Sequence, residues 1–169
     1  MEMNKKEIEK KFLIRYPSEE VLSLIDEKKR SRIIQTYLLS EEGITARIRM
    51  REYFDHVKYT KTEKKRISNI SCFEDERELG ESEYQNELEA ADPKRNPIEK
   101  ERLLLDFGGH IFEIDLYPFW KDRAIMEIEL SEETEAFDLP PFIEIIKDVT
   151  EDKRYKNAKL ALDIPYDEI

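Results

Sequence analysis

Again and again along this chain, apolar and charged residues alternate, and the charged members carry both signs. A β-strand can use that period and a helix cannot. In EIEKKF the alternation puts Glu7, Glu9 and Lys11 on one face and Ile8, Lys10 and Phe12 on the other. The strongest case is ITARIRMRE, where Arg47, Arg49 and Arg51 share one face and Ala46, Ile48 and Met50 the other. SCFEDEREL files Glu74, Glu76 and Glu78 together, and AIMEIEL sets Glu127 and Glu129 against Ile128 and Leu130. Further strands are expected in RSRIIQTYLL and VKYTKT. IEKERLLLDF and GGHIFEIDLY read as a hairpin across Gly108 and Gly109, with Lys100 and Arg102 on its first arm and Glu113 and Asp115 on its second.

Helical patterns are fewer. Ser18 can cap a helix over residues 18–29 whose stripe is Val21, Leu22 and Ile25. GESEYQNELEAA predicts a second, and after Pro140 and Pro141 the chain is expected to turn helical, most clearly in DVTEDKRYKNAKLAL. The fold class is therefore α+β, mainly β, with an antiparallel sheet. Two ways of folding that sheet stay open. In a sandwich the charged faces are the wet ones. In a closed barrel of about eight strands they line the lumen, and the apolar faces carry the helices outside.

At 169 residues the chain is expected to form a single domain over residues 1–169. Charged residues make up 41% of it, yet 8 Phe, 8 Tyr and one Trp argue against disorder. The net charge of −11 makes nucleic acid an unexpected partner, because that binding needs a basic surface, while leaving a small anion in an enclosed basic pocket allowed. The lone Cys72 cannot form an internal disulfide, MEMNKK lacks the apolar core of a signal peptide, and no stretch has the length of a membrane span. A cytoplasmic address without a membrane partner is expected.

Paired carboxylates on a strand face suit a hard divalent cation such as Mg²⁺ or Mn²⁺. Interleaved Arg and Lys suit phosphate oxygens, Arg as a planar fork and Lys as a point charge. Any one pair alone is explained by ordinary solubilising design. Acid pairs and base pairs recurring together fit a metal with an anion better. His56 and His110 fall in turns, leaving too little for a histidine zinc site or a serine triad, and neither a Walker loop nor GxGxxG is present.

Glu7, Glu9 and Lys11 form the motif ExExK. With QTYL, ARIRMRE, the TK of YTKT, EDERE, IEKER, FEIDLY, MEIEL and DVTEDKRYKN following in order, the chain resembles the CYTH superfamily, the triphosphate tunnel metalloenzymes, over nearly its whole length. TEDKRYKN resembles the short bacterial members. The resemblance implies a closed eight-stranded antiparallel barrel whose tunnel holds a triphosphate and Mg²⁺ or Mn²⁺. It implies that Lys11, Lys100 and Arg102 act on the substrate, that Arg47, Arg49, Lys61, Lys153 and Arg154 bind it, and that Glu7, Glu9, Glu76, Glu113, Asp115, Glu127 and Glu129 serve the metal. Members often carry an Arg two residues before the acid run, where this chain has Cys72, so one phosphate contact is expected to be missing. The activity implied is hydrolysis of inorganic tripolyphosphate, with nucleoside triphosphates as further substrates and a homodimer among the allowed assemblies. Class IV adenylate cyclase, thiamine triphosphatase and a non-catalytic polyphosphate-binding module are the alternatives. The His-Phe pair that such cyclases carry upstream of ExExK is absent from MEMNKK.

Overall fold

A computed structural model describes residues 5–68 and 70–169. The alternating segments form strands β1 (Lys5–Arg15), β2 (Arg30–Leu38), β3 (Ile44–Glu52), β4 (Val57–Arg66), β5 (Ser71–Leu79), β6 (Ile98–Phe107), β7 (His110–Leu116), β8 (Arg123–Leu130) and β9 (Ile145–Asp148). They join in the order β5-β4-β3-β2-β6-β7-β8-β1-β9, and a β5–β1 pairing closes the ring. The first eight strands thus make a closed antiparallel barrel, which decides against the sandwich. Closure removes the open edges that a sheet of this length would otherwise expose.

The edge of β1 that meets β5 is divided between two partners. Residues 5–8 pair with β5, and residues 12–14 pair with β9. Between them the Glu9 N–H donates to the Ile70 carbonyl at 3.0 Å and the Lys11 N–H to Thr150 Oγ1 at 3.0 Å. The hairpin between β6 and β7 turns as expected on Gly108 and Gly109, whose φ values of 60° and 80° suit the left-handed pair of a two-residue loop.

Two helices lie outside the barrel. α1 (Glu19–Ser23), capped by Ser18 Oγ accepting from the Val21 N–H, is shorter than the expected helix over residues 18–29. Asp26 caps a separate 3₁₀ turn at Glu27–Lys29, because its carboxylate takes the Lys28 N–H. Val21 of α1 and Ile25 just after it pack onto the outward residues Phe12, Ile14, Phe112, Ile114, Met126 and Ile128. Truncating Phe112, which is wholly buried, would cost roughly 3–5 kcal/mol. α2 (Glu81–Glu87) covers the outward face of β3 and β4 through Tyr84, which packs with Ala46, Ile48 and Tyr59.

The helix expected after Pro140 is replaced by β9, a 3₁₀ turn at Lys153–Tyr155 and the single turn α3 (Asn157–Leu160). Tertiary contacts override local helix preference there. Val149, Tyr155, Leu160 and Ala161 pack against Leu13, Tyr37, Ile98, Tyr117, Trp120 and Ile125. Leu13 and Ile125 lie on the same strand faces as Lys11 and Glu127, so the segment stoppers one end of the barrel with apolar side chains. No helix among the described residues is long and apolar enough to cross a membrane.

Candidate active site

Barrel closure turns one parity of each strand inward. Glu7, Glu9, Arg47, Arg49, Arg51, Lys58, Lys64, Glu74, Glu76, Arg102, Glu113, Glu127 and Glu129 line one cavity of about 230 Å³ in the tunnel. A second, of about 200 Å³, lies toward the β2–β3 turn and the C-terminal segment, lined among others by Lys11, Arg47, Lys64, Arg66 and Lys156.

Three ion-pair systems organise the charges. Lys64 Nζ stands 2.8 Å from Glu7 and 3.4 Å from Glu74. Burial disfavours charge on both acids, but Glu7 is held well below the usual carboxylate range by its hydrogen bond with Glu74 and by Lys64. Burial and that same hydrogen bond push Glu74 up to about 7, so Glu74 is the proton holder of the pair. Cys72 Sγ donates to Glu7 at 3.4 Å, and burial together with nearby carboxylates pushes its thiol up to about 12. That thiol is a poor nucleophile.

In the second system Lys11 Nζ lies 3.2 Å from Glu127 and donates to the Tyr155 carbonyl at 3.3 Å. Burial opposes ionisation of Glu127, yet Lys11 outweighs it and holds the carboxyl at about 2. Among the described residues, Glu9 has no cation so close. Burial, and then the charge of Glu127, push it up to about 7.

The third system is the deepest. Arg102 Nε and Nη2 donate to the two oxygens of Asp115 at 2.8 and 2.9 Å, and Lys100 Nζ stands 2.8 Å from Oδ2. Arg102 also pairs with Glu113. Burial works against the Asp115 charge, and the two cations override it, holding its carboxyl far below the usual range. Arg49 Nη2 donates to Gln35 Oε1 at 3.1 Å, but the buried Nε atoms of Arg47 and Arg49 have no partner among the described residues. Burial and the charges of Arg47 and Arg102 all disfavour the Arg49 cation. Crowded guanidiniums with unanswered N–H groups make a site for an anion.

No family model and no curated protein matches the chain. Among solved structures, that of the inorganic triphosphatase NE1496 is 30% identical over 98% of this chain and 99% of that one, with a TM-score of 0.57. The chain belongs to the CYTH superfamily. Two more distant structures share the fold. The PH1819 protein of Pyrococcus horikoshii is 16% identical over 75% of this chain and 80% of that one, with a TM-score of 0.54. HpAC1 of Hippeastrum, described as an adenylyl cyclase candidate with a dominant triphosphatase activity, is 18% identical over 74% and 80%, with a TM-score of 0.50.

Within this CYTH barrel ten of the residues that the resemblance implied line the tunnel cavities, Lys100 and Asp115 are buried beneath them, and three lie elsewhere. Lys61 has the outward parity of β4 and pairs with Glu87 on α2 at 3.0 Å. The inward lysines of that strand are Lys58 and Lys64, both of opposite parity to Lys61. Lys153 and Arg154 are exposed. Arg154 is tied to Asp152 at 2.9 Å and Asp167 at 2.8 Å, while Lys156 is the basic residue of that segment at the tunnel. Of the acid run on β5, both Glu74 and Glu76 line the tunnel, and Glu76 accepts from Thr62 Oγ1 at 3.0 Å. Asp115 was expected to serve a metal, but its oxygens are committed to Arg102 and Lys100. Lys100, expected to act on the substrate, is fully buried against that carboxylate. Among the described residues, no three Asp, Glu, His or Cys side chains already form a metal cage. The Lys64 and Glu74 roles were readable only by counting parity from the best-defined neighbour, Arg49, which sits opposite Thr60.

Proposed function

We propose that the tunnel hydrolyses a triphosphate, inorganic tripolyphosphate foremost, with Mg²⁺ or Mn²⁺ bound. The single observation carrying this reading is the enclosed pair Arg47 and Arg49, whose buried Nε donors have no partner among the described residues, in a cavity also lined by seven carboxylates. The 30% identical inorganic triphosphatase supports it.

The donor set suits a hard cation because every acidic group there offers oxygen. Glu9 beside Glu127 is the best-fitting position, since two buried carboxyls are pressed together there and Glu9 is pushed up by burial and then by the charge of Glu127. Glu7, Glu9, Glu76, Glu127 and Glu129 are the residues that would hold the metal. When bound, such a cation supplies positive charge against phosphate oxygens and makes water a better nucleophile.

The chain's own residues do the remaining work. Arg47 and Arg49 offer their unanswered N–H groups to phosphate oxygens. Lys11 and Lys64, now paired with Glu127 and with Glu7 and Glu74, exchange those partners for phosphate. Arg102 presents its guanidinium edge in an orientation locked by Asp115. Phosphoryl transfer asks mainly for positioning and charge neutralisation, which these groups provide. The apolar stopper limits water at one end.

The test is a panel of tripolyphosphate, ATP, GTP and thiamine triphosphate with each metal, scoring phosphate, pyrophosphate and cyclic nucleotide. Phosphate and pyrophosphate from tripolyphosphate, abolished by chelator, is the expected result. Cyclic AMP and pyrophosphate from ATP would overturn it, as would binding without release.

A further inference from the structure

The basic file of β3 ends on an aromatic residue. Alternation carries the inward parity of Arg47, Arg49 and Arg51 on to Tyr53, just past the strand, and Tyr53 lines the acid-lined cavity with them. Tyr37 of the stopper sits opposite Arg47, and Ile33 opposite Arg51, so the file runs away from the stopper and Tyr53 stands at the other mouth of the tunnel. Among the described residues it is the one aromatic side chain lining that cavity.

Both faces of its ring are filled. The Arg51 guanidinium lies over it, 4.7 Å from the ring centre, and the His56 imidazole stacks on it at 4.5 Å and 8°. Two planar groups at those separations cannot share one face, so they sandwich the ring. Each is held in place. Arg51 shares the strand face of Tyr53 two residues back, and its Nε donates to Ser31 Oγ at 2.9 Å. His56 is delivered by the β3–β4 turn, which closes where the Tyr53 N–H donates to the His56 carbonyl at 2.8 Å, and its Nδ1 lies 2.7 Å from Asp55 Oδ1. The His56 side chain is itself 58% exposed, so it covers the ring from the solvent side without belonging to the core.

A nucleoside triphosphate whose phosphates enter at this mouth leaves its base beside Tyr53, and every base can stack on an open aromatic face. Tripolyphosphate has no base and gains nothing from one. Resting on the triphosphate reading above, we propose that Tyr53 is a specificity-determining residue at this mouth: with His56 and Arg51 occupying its ring faces, a nucleobase is denied its stacking partner, and inorganic tripolyphosphate is favoured over nucleoside triphosphates. Phe54, next in the turn, is exposed but is not among the residues lining the cavity, which makes it the control.

Calorimetric titration of the full chain with tripolyphosphate and ATP, in chelator so that no turnover intervenes, tests the sandwich. The wild type is expected to bind tripolyphosphate at least about tenfold more tightly than ATP. His56→Ala, by uncovering the ring, is expected to tighten ATP about tenfold, within the range of one base–aromatic stack, and to leave tripolyphosphate within about twofold. Adding Tyr53→Leu should erase the ATP gain, and His56→Phe, which keeps a ring over Tyr53, should retain the wild-type ratio. The ratio is the readout because freeing Asp55 of its partner disfavours both polyanions alike. Equal wild-type affinity for the two ligands would overturn the assignment, as would an unchanged ratio in His56→Ala. The same ATP gain in Phe54→Ala would also overturn it, by showing that a loosened turn and not a freed ring face admits the base. A chain that discriminates in this way but releases no phosphate from tripolyphosphate in Mg²⁺ would refute the hydrolase reading and leave the role of Tyr53 standing.

Discussion

Asp115 is clasped by Arg102. Both carboxylate oxygens accept from the guanidinium fork at 2.8 and 2.9 Å, and the aspartate side chain has no exposure to solvent. Lys100 presses on the same carboxylate from behind, so one buried anion holds two buried cations. Removing the anion is costly because it leaves uncompensated charge in a low-dielectric setting.

Asp115→Asn is therefore expected to destabilise the fold by about 3–5 kcal/mol, as for breaking a buried ion pair. Lys100→Met in the Asp115→Asn background should recover part of that loss, because it removes one stranded cation. Urea denaturation of the two single variants and the double variant measures both effects. Additive losses would show that the clasp is not a unit.

Glu9→Gln should lower metal-dependent turnover by at least about a hundredfold, in the range seen for deleting one preorganised electrostatic group. It should leave the melting temperature equal or higher, because it removes the repulsion between Glu9 and Glu127. Steady-state kinetics in Mg²⁺ and a thermal melt in chelator check the two halves separately.

Stability without metal should fall as pH rises from about 5 to 7. Glu9 and Glu74 are both raised to about 7 in the folded protein, against an ordinary value of 4.5. Their protonated forms favour the folded state below 4.5, and that contribution is lost as pH rises through 7. Glu7, Glu127 and Asp115 are lowered, and theirs is lost only as pH falls below the ordinary carboxylate range. Denaturant midpoints across this range in chelator should show the decline, and Glu9→Gln or added Mg²⁺ should flatten it.

Lys61→Ala and Lys64→Ala should part company. The first loses a half-buried surface pair with Glu87 and should keep activity within about twofold, with less than about 1 kcal/mol of stability lost. The second removes an inward cation and leaves Glu7 and Glu74 facing each other, so tripolyphosphate turnover should drop by at least about tenfold. Equal activity in the two variants would contradict the parity of β4.

Where alternation is strict, as at Arg47, Arg49 and Arg51 or at Glu127 and Glu129, the inward face could be read from the residues alone. VKYTKTEKKR defeats such a reading because lysines occur on both parities, and only pairing with β3 selects Lys64 over Lys61. The apolar stopper was hidden for a different reason. Leu13, Ile98, Tyr117 and Ile125 share a face with charged residues, and what changes along that face is depth in the barrel, which no single-strand pattern encodes. DVTEDKRYKN carried helix signals that the stopper contacts overrode, and so Lys156, rather than Lys153 or Arg154, faces the tunnel.

The divided edge of β1 bears on how the molecule is made. β1, synthesised before all of its partners, needs β5, β8 and residues 145–150 to complete its bonding, with the Lys11 to Thr150 contact spanning 139 positions. Such distant closure is slow, and until it happens β1 waits with an unsatisfied edge open to other nascent chains. Glu7, Glu9 and Lys11 make that waiting safe, because like files of charge on two β1 strands repel in parallel register. The residues proposed to meet metal and phosphate in the finished barrel thus also oppose in-register aggregation during synthesis.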